Sequence, residues 1–181
     1  MVKNIILQHF DGELRELDRL SIMNIQSYAE MVGADYKLVT GKPFRRYLTS
    51  PCQKVHMLNE EWDDYDDVLM LDIDMFAPKN MNVNIFKQPG MGLYEDVQKR
   101  LHNRLATSYP MQASSIHPYW GGAIYKFSKD MRVKLRSGLG GDESWMVHYN
   151  KPYQYEDEGI IHTLAIVTPD NPAPTISIFI R

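Results

Sequence analysis

The chain has 181 residues and a mass of 21.1 kDa, enough for one domain with a core of its own and too few for two ordinary ones. Apolar residues make up 44% and charged residues 24%, which excludes a disordered chain or a fibrous repeat. A formal charge of −3, from 20 Lys+Arg against 23 Asp+Glu, excludes a nucleic-acid binder that relies on bulk positive potential, so any basic site must be local.

The single cysteine, Cys52, excludes a disulfide framework and a cysteine-built zinc site and fits a reducing compartment. Residues 4–8 read as a short buried strand, because Ile5, Ile6 and Leu7 are consecutive and apolar between polar neighbours. That run is too short for a signal-peptide core or a membrane span. The expectation is an untargeted, soluble protein in the cytoplasm of a bacterium or of a virus-infected host cell. After a turn at Asp11 and Gly12, Leu17, Leu20, Ile22, Ile25, Tyr28, Ala29 and Val32 recur near helical spacing, with Gly33 where a C-cap glycine belongs. Residues 36–39 form a second strand, followed by an irregular connection at Gly41, Lys42 and Pro43. Ser50 as N-cap and Pro51 at the first position begin a helix that runs through Val55, Leu58 and Trp62.

The acidic block 60–67, interrupted by Trp62 and Tyr65, reads as a helix end and a turn. Residues 68–71 are continuously apolar, as in a strand buried on both faces, and Asp72, Ile73 and Asp74 follow. Further strands are expected at 92–94, 123–127, 164–167 and 175–180. Ser128 caps a helix through Leu135, and Asp142 caps another through Tyr149. No repeat or low-complexity segment interrupts this order. Strands alternating with helices give a doubly wound α/β sandwich, whose ligands bind beyond the carboxyl ends of the strands, where Asp72 and Asp74 fall.

An Asp-x-Asp pattern is cheap, since 14 aspartates in a chain of this length give roughly one by chance. Asp64 and Asp66 form one in a polar turn, where carboxylates are hydrated and need no partner. Asp72 and Asp74 form the other at the rim of a core, where an unpaired carboxylate is costly. On an extended chain the two point to one side and repel by on the order of 4 kcal/mol at close approach. A divalent cation reverses that sign, and hard oxygen donors suit Mg2+ or Mn2+. The structural alternative is a pair of strand-end caps bonded to loop amides.

Three segments carry a family resemblance. The first is Gln53, Lys54, Val55, His56, Met57 and Leu58 followed by the run from Tyr65 to Phe76 that contains the Asp pair. The second runs from Tyr119 through Trp120, Gly121 and Gly122 to Phe127, and the third is Gly141, Asp142, Glu143, Ser144 and Trp145. Their order and spacing over roughly residues 1–150 resemble the GT-A class of nucleotide-sugar-dependent, DxD-containing glycosyltransferases, most closely the retaining families. The resemblance implies a single α/β nucleotide-diphospho-sugar transferase domain, its mixed, mainly parallel sheet flanked by helices. The nucleotide-binding part would be about 1–80 and the acceptor and catalytic part about 81–181. Its implied reaction moves a hexosyl or related sugar from a nucleoside diphosphate sugar to a glycan, glycoconjugate or other hydroxyl acceptor, with no nucleic-acid partner.

By the same resemblance, Asp72, Asp74 and His162 ligate the metal, Lys54 contacts phosphate or sugar, and Ile73, Trp120, Gly121 and Gly122 lie beside the donor. Trp120 stands where the family often has Asn. The loop Gln8, His9, Phe10 and Asp11 is placed to meet nucleobase and ribose, with Phe10 able to stack or to pack in the core. Asp142 or Glu143 would serve as a base or stabilise the cationic sugar, although Asp142 is also a good N-cap and Glu143 suits a helix dipole without catalytic duty. His162 has the alternative of a core histidine, and His148 is a further candidate. Two rival readings are a haloacid-dehalogenase-type phosphatase, which wants Thr or Val where Met75 stands, and a catalytically silent sugar-nucleotide-binding module. A nucleotidyltransferase would open on a Gly-rich phosphate loop, which Asp11-Gly12 is not.

Overall fold

Five consecutive residues of strand β1 (Asn4–Phe10), from Ile5 to His9, are buried, with no alternation. The reason is its position. Strand β2 (Asp35–Thr40) pairs with it in parallel on one side and β3 (Asp67–Leu71) in parallel on the other, while β4 (Ile124–Ser128) runs antiparallel along β3. The order β2-β1-β3-β4 gives a mixed, mainly parallel sheet with helices on both faces, as the sequence reading expects. The computed structural model describes residues 2–88 and 122–139 together with Asp157, Ile160, Ile161 and Leu164.

The sheet's faces sort by register. Ile6, Leu69, Leu71 and Ile124 pack against helix α1 (Glu16–Val32) through Ile25, Tyr28 and Ala29. Ile5, Leu7, Val68, Met70, Tyr125 and Phe127 face Val55, Met57 and Leu58 of the 3-10 helix Pro51–Leu58, Leu135 of helix α2 (Lys129–Gly138), and Ile160, Ile161 and Leu164. Gly33 closes α1 in the left-handed region at φ 71°, and the Ala34 amide donates to Ala29 O at 2.9 Å. Ser128 caps α2, its hydroxyl accepting from the Met131 amide at 3.3 Å.

Three expectations change. The buried stripe of α1 is Asp18, Ser21, Ile25, Tyr28 and Ala29, while Leu17 and Leu20 are about half exposed at 49% and 50%. Polar side chains occupy this inner face because they hold backbone: the Ser21 hydroxyl donates to Met75 O, Asn24 exchanges two bonds with Ala77, and Tyr28 donates to Val83 O. The helix expected from Pro51 through Trp62 is two 3-10 helices, Pro51–Leu58 and Glu60–Trp62, broken at Asn59. That residue is extended, and its side chain accepts from the Glu61 amide. Ser50 makes no side-chain cap and is itself helical.

The third change is at Leu164, which is helical instead of opening a strand and shares helical spacing with Asp157, Ile160 and Ile161. The strands expected at 92–94 and 175–180 and the helix from Asp142 to Tyr149 lie outside the described residues.

Candidate active site

Chain direction makes the site. From β1 the chain crosses α1 to β2, then returns past β1 to β3 on its other side, so the connections of two neighbouring parallel strands diverge beyond their carboxyl ends. A cleft of about 570 Å³ opens there, walled by His9, Phe10 and Asp11 after β1, Ser50, Pro51 and Lys54, Asp72, Ile73 and Asp74 after β3, and Asp157.

Asp72 continues the β3–β4 ladder by one bond, its amide donating to Ala123 O at 2.9 Å, and the chain then turns, with the Met75 amide on Asp72 O at 3.2 Å. The extended alternation expected across Asp72 and Asp74 is therefore replaced by a turn. Asp72 is partly buried and Asp74 exposed, and both still line the cleft. Gln8, expected at the donor, is fully buried and lines no part of the cleft. Its amide nitrogen donates to Asp72 O at 3.1 Å and to Ser21 Oγ at 3.0 Å, while its oxygen accepts from the Tyr36 hydroxyl at 2.9 Å. It positions the acidic turn from below. In the other Asp-x-Asp pair, Asp64 and Asp66 are exposed as expected, with Asp66 accepting from the Lys3 amide.

Lys54 is the cleft's buried cation. Its ammonium donates to Asp72 Oδ1 at 2.5 Å, to Gly122 O at 2.6 Å, and to Asp157 Oδ2 at 2.9 Å, which uses all three protons. Burial alone would push its pKa down, but the Asp157 and Asp72 carboxylates outweigh burial and hold it above the ordinary lysine value. Asp157 is pushed up by burial, against the pull of Lys54 and of the Tyr125 hydroxyl, which donates to Oδ2 at 2.6 Å.

His9 is set by a different bond. A carbonyl only accepts, so the 2.7 Å contact to Gly41 O places the proton on Nε2. Burial holds the ring's pKa below the ordinary histidine value, leaving it neutral at pH 7 with Nδ1 as an acceptor.

Among the described lining residues, four carboxylates (Asp11, Asp72, Asp74 and Asp157) stand against one ammonium. Such a cleft repels a diphosphate unless a cation enters with it. The oxygen donors of Asp72 and Asp74 suit Mg2+ or Mn2+. Among the described residues no group of three or more His, Cys, Asp or Glu is arranged to hold a metal. His162, Trp120, Gly121, Asp142 and Glu143 lie outside the described residues.

Known structures share this architecture. A glycosyltransferase involved in glycosylation of the major capsid of PBCV-1 superposes with a TM-score of 0.55 at 14% identity, over 93% of this chain and 79% of that one. The galactosyltransferase LgtC, in complex with donor and acceptor sugar analogues, gives a TM-score of 0.59 at 13% identity over 88% and 70% of the two chains. The fold is that of the GT-A glycosyltransferases. An active-site mutant of LgtC matches similarly, with a TM-score of 0.57 at 12% identity over 88% and 69%. No protein-family model and no curated protein matches the sequence.

Asp157 and Tyr125 are site residues that sequence reading missed, and Ser50 and Pro51, read only as a helix start, also line the cleft. A signal was present: Asp157, Ile160, Ile161 and Leu164 follow i, i+3, i+4, i+7 spacing, which puts one carboxylate on an otherwise apolar helix face. A buried acid in that setting requires a partner.

Proposed function

We propose that the chain is a metal-dependent glycosyltransferase that moves a sugar from a nucleoside diphosphate sugar to a hydroxyl of a glycan or glycoconjugate, with retention of configuration. The observation that carries this reading is the acidic cleft at the divergence of β1 and β3 in a GT-A fold. In the reaction the bond from the anomeric carbon to the diphosphate oxygen breaks, and the acceptor oxygen bonds to that carbon and loses its proton. Asp72 and Asp74, with His162 as a third ligand, would hold Mn2+ or Mg2+, which when bound supplies positive charge to the departing diphosphate.

The chain's own groups do the rest. Lys54 holds Asp72 through Oδ1 and fixes Asp157 in the cleft wall, where its carboxylate would stabilise positive charge developing on the sugar. Phe10 offers a stacking face to the nucleobase, and His9 Nδ1 an acceptor to base or ribose. Trp120, Gly121 and Gly122 would keep the place beside the donor that the family resemblance implies. Asp142 and Glu143 keep the role of base or stabiliser that the family resemblance implies. Residues 1–80 would carry the nucleotide-binding part and 81–181 the acceptor part.

Thermal-shift measurements with UDP-, GDP- and dTDP-sugars, with and without manganese, test the reading alongside nucleotide release. Stabilisation that requires sugar nucleotide and metal together is expected. Equal shifts with and without metal count against it. Hydrolysis of p-nitrophenyl phosphate in place of nucleotide release would favour a phosphatase, and binding without turnover would favour a silent binding module.

A further inference from the structure

Helix α1 turns one face to the sheet and carries a second apolar face outside. Leu17, Leu20, Asn24, Ser27 and Met31 follow i, i+3, i+7, i+10, i+14 spacing, one seam along the helix with Met23 beside it. The two polar members of the seam are satisfied by backbone: the Ser27 hydroxyl donates to Met23 O at 3.0 Å, and Asn24 exchanges two bonds with Ala77, so neither depends on water for a partner. Beside the seam runs a strap, residues 75–85, tied to successive turns of α1. Ser21 donates to Met75 O, Asn24 bonds Ala77, Tyr28 donates to Val83 O at 2.9 Å, and Asn84 Nδ2 donates to Val32 O at 3.2 Å. The strap adds Phe76 and Val83. Helix and strap together hold six of the nine large apolar side chains exposed among the described residues, each between 38% and 63% exposed. An exposed apolar collection of that size on one pair of elements marks an interaction surface.

The charges at its edge say what fits it. Arg19 near the start of α1 and Glu30 near its end are both exposed, and among the described residues neither is ion-paired. Eleven residues at about 100° each return to nearly the same bearing, so the two lie on one edge of the seam. A second α1 laid antiparallel about a two-fold axis near Asn24 sets Leu17 against the partner's Met31, Leu20 against the partner's Ser27, and Arg19 against the partner's Glu30, twice over. A parallel two-fold pair would instead oppose like charges. With 17 residues α1 is about 25 Å long, and helix plus strap are about 20 Å wide, so a pair of copies buries on the order of 1,000 Å², the lower bound of a specific interface. A lipid surface fits less well, because α1 and the strap carry Glu16, Asp18 and Glu30 against Arg19 and Lys79, with no cationic excess to meet anionic headgroups.

We propose that the chain forms a reversible two-fold dimer through α1 and the strap 75–85, its two α1 helices antiparallel across a Leu and Met seam, with Arg19 and Glu30 paired between copies at the seam's edge. None of these residues lines the cleft, so the proposal stands apart from the glycosyltransferase reading. Sedimentation velocity of the full chain at low salt tests it. The mass should rise from 21.1 kDa toward twice that value as concentration climbs through about 10–100 µM, the dissociation range of an interface of this size. Leu20→Lys/Met23→Lys should stay monomeric at concentrations about tenfold higher while melting at the wild-type temperature, since both side chains are exposed. Arg19→Glu and Glu30→Arg should each weaken dimerisation by about fivefold, and Arg19→Glu/Glu30→Arg should restore it, because the exchange rebuilds each pair with its signs reversed. This charge series decides the matter even if the lysine variant fails to fold. A wild type still monomeric at about 500 µM, a dimer indifferent to Leu20→Lys/Met23→Lys, or charge variants that show no rescue overturns the proposal. So does a wild type that stays monomeric in solution yet co-sediments with phosphatidylglycerol vesicles and loses that binding in Leu20→Lys/Met23→Lys, which would assign the face to a lipid surface.

Discussion

Lys54→Met removes the ammonium shared by two carboxylates, and the structure says where the cost falls. The Asp72 side chain is 36% exposed and can rehydrate, whereas that of Asp157 is 3% exposed and cannot. The substitution therefore strands one buried charge, with the Tyr125 hydroxyl as its remaining donor among the described residues. Breaking a buried pair from one side costs about 3–5 kcal/mol, a large part of a total stability of about 5–15 kcal/mol. Urea unfolding of wild type and variant at pH 7 measures the loss. Adding Asp157→Asn to the variant should recover much of it, because a neutral amide replaces the stranded charge. The pH dependence has a definite sign. A carboxyl whose folded pKa lies above its unfolded value adds stability at low pH and loses it as pH rises through the folded pKa. Burial already raises Asp157, and without Lys54 the rise is larger. The stability gap between variant and wild type should shrink as pH falls from 7 toward 5. A loss below about 1 kcal/mol, or a gap that does not change with pH, would refute the assignment of Lys54 as the compensating charge.

Gln8→Ala removes the acceptor of the Tyr36 hydroxyl and one of the two partners of Ser21 and should cost about 1–3 kcal/mol in unfolding, with weaker metal-dependent donor binding because Asp72 O loses its tether. Asp74→Asn, at an exposed position, should change stability by less than about 0.5 kcal/mol yet lower the manganese-dependent nucleotide-sugar shift, both read by differential scanning fluorimetry. Asp157→Asn should spare donor binding and reduce turnover, the pattern of a group that acts mainly in the transition state, as steady-state kinetics would show. Burial depresses the folded pKa values of His9 and His56, so each contributes stability above pH 6.5 that is lost as pH falls through the folded value. A melting temperature that does not fall between pH 7 and pH 5 would contradict that placement.

The sheet was legible because its strands are short runs with little alternative. Ile5, Ile6 and Leu7, and the run Val68 to Leu71, are consecutive apolar residues that only a strand covered on both faces accommodates. Gly33 marked the end of α1 for an equally local reason, its left-handed φ. The inner face of α1 was not legible. Ser21 and Asn24 are polar in composition but buried or half-buried in fact, since their partners are backbone atoms more than fifty residues away. Local periodicity carries no trace of such partners, so Leu17 and Leu20 looked like the better core. Asn59 was overlooked because a capping asparagine inside an apolar pattern reads as a tolerated helix residue until its side chain is seen on the Glu61 amide.

At the site, the Asp pair and Lys54 were visible from their order along the chain, and the connection between them was not. A lysine ahead of an acidic strand end suggests a phosphate contact, because sequence spacing shows charge and hides geometry. In the fold the lysine turns inward, and its three donors are matched by Asp72, Gly122 O and Asp157. This changes the electrostatic logic of the cleft. With Lys54 internally compensated, the described lining of the cleft holds no uncommitted cation, and under the proposed function the positive charge for a diphosphate would come from a cation held at Asp72 and Asp74. The acid-free stretch 36–59 carries Lys37, Lys42, Arg45 and Arg46 outside that acidic lining. A net charge of −3 conceals this division, since the opposing patches cancel in the sum while remaining separate on the surface.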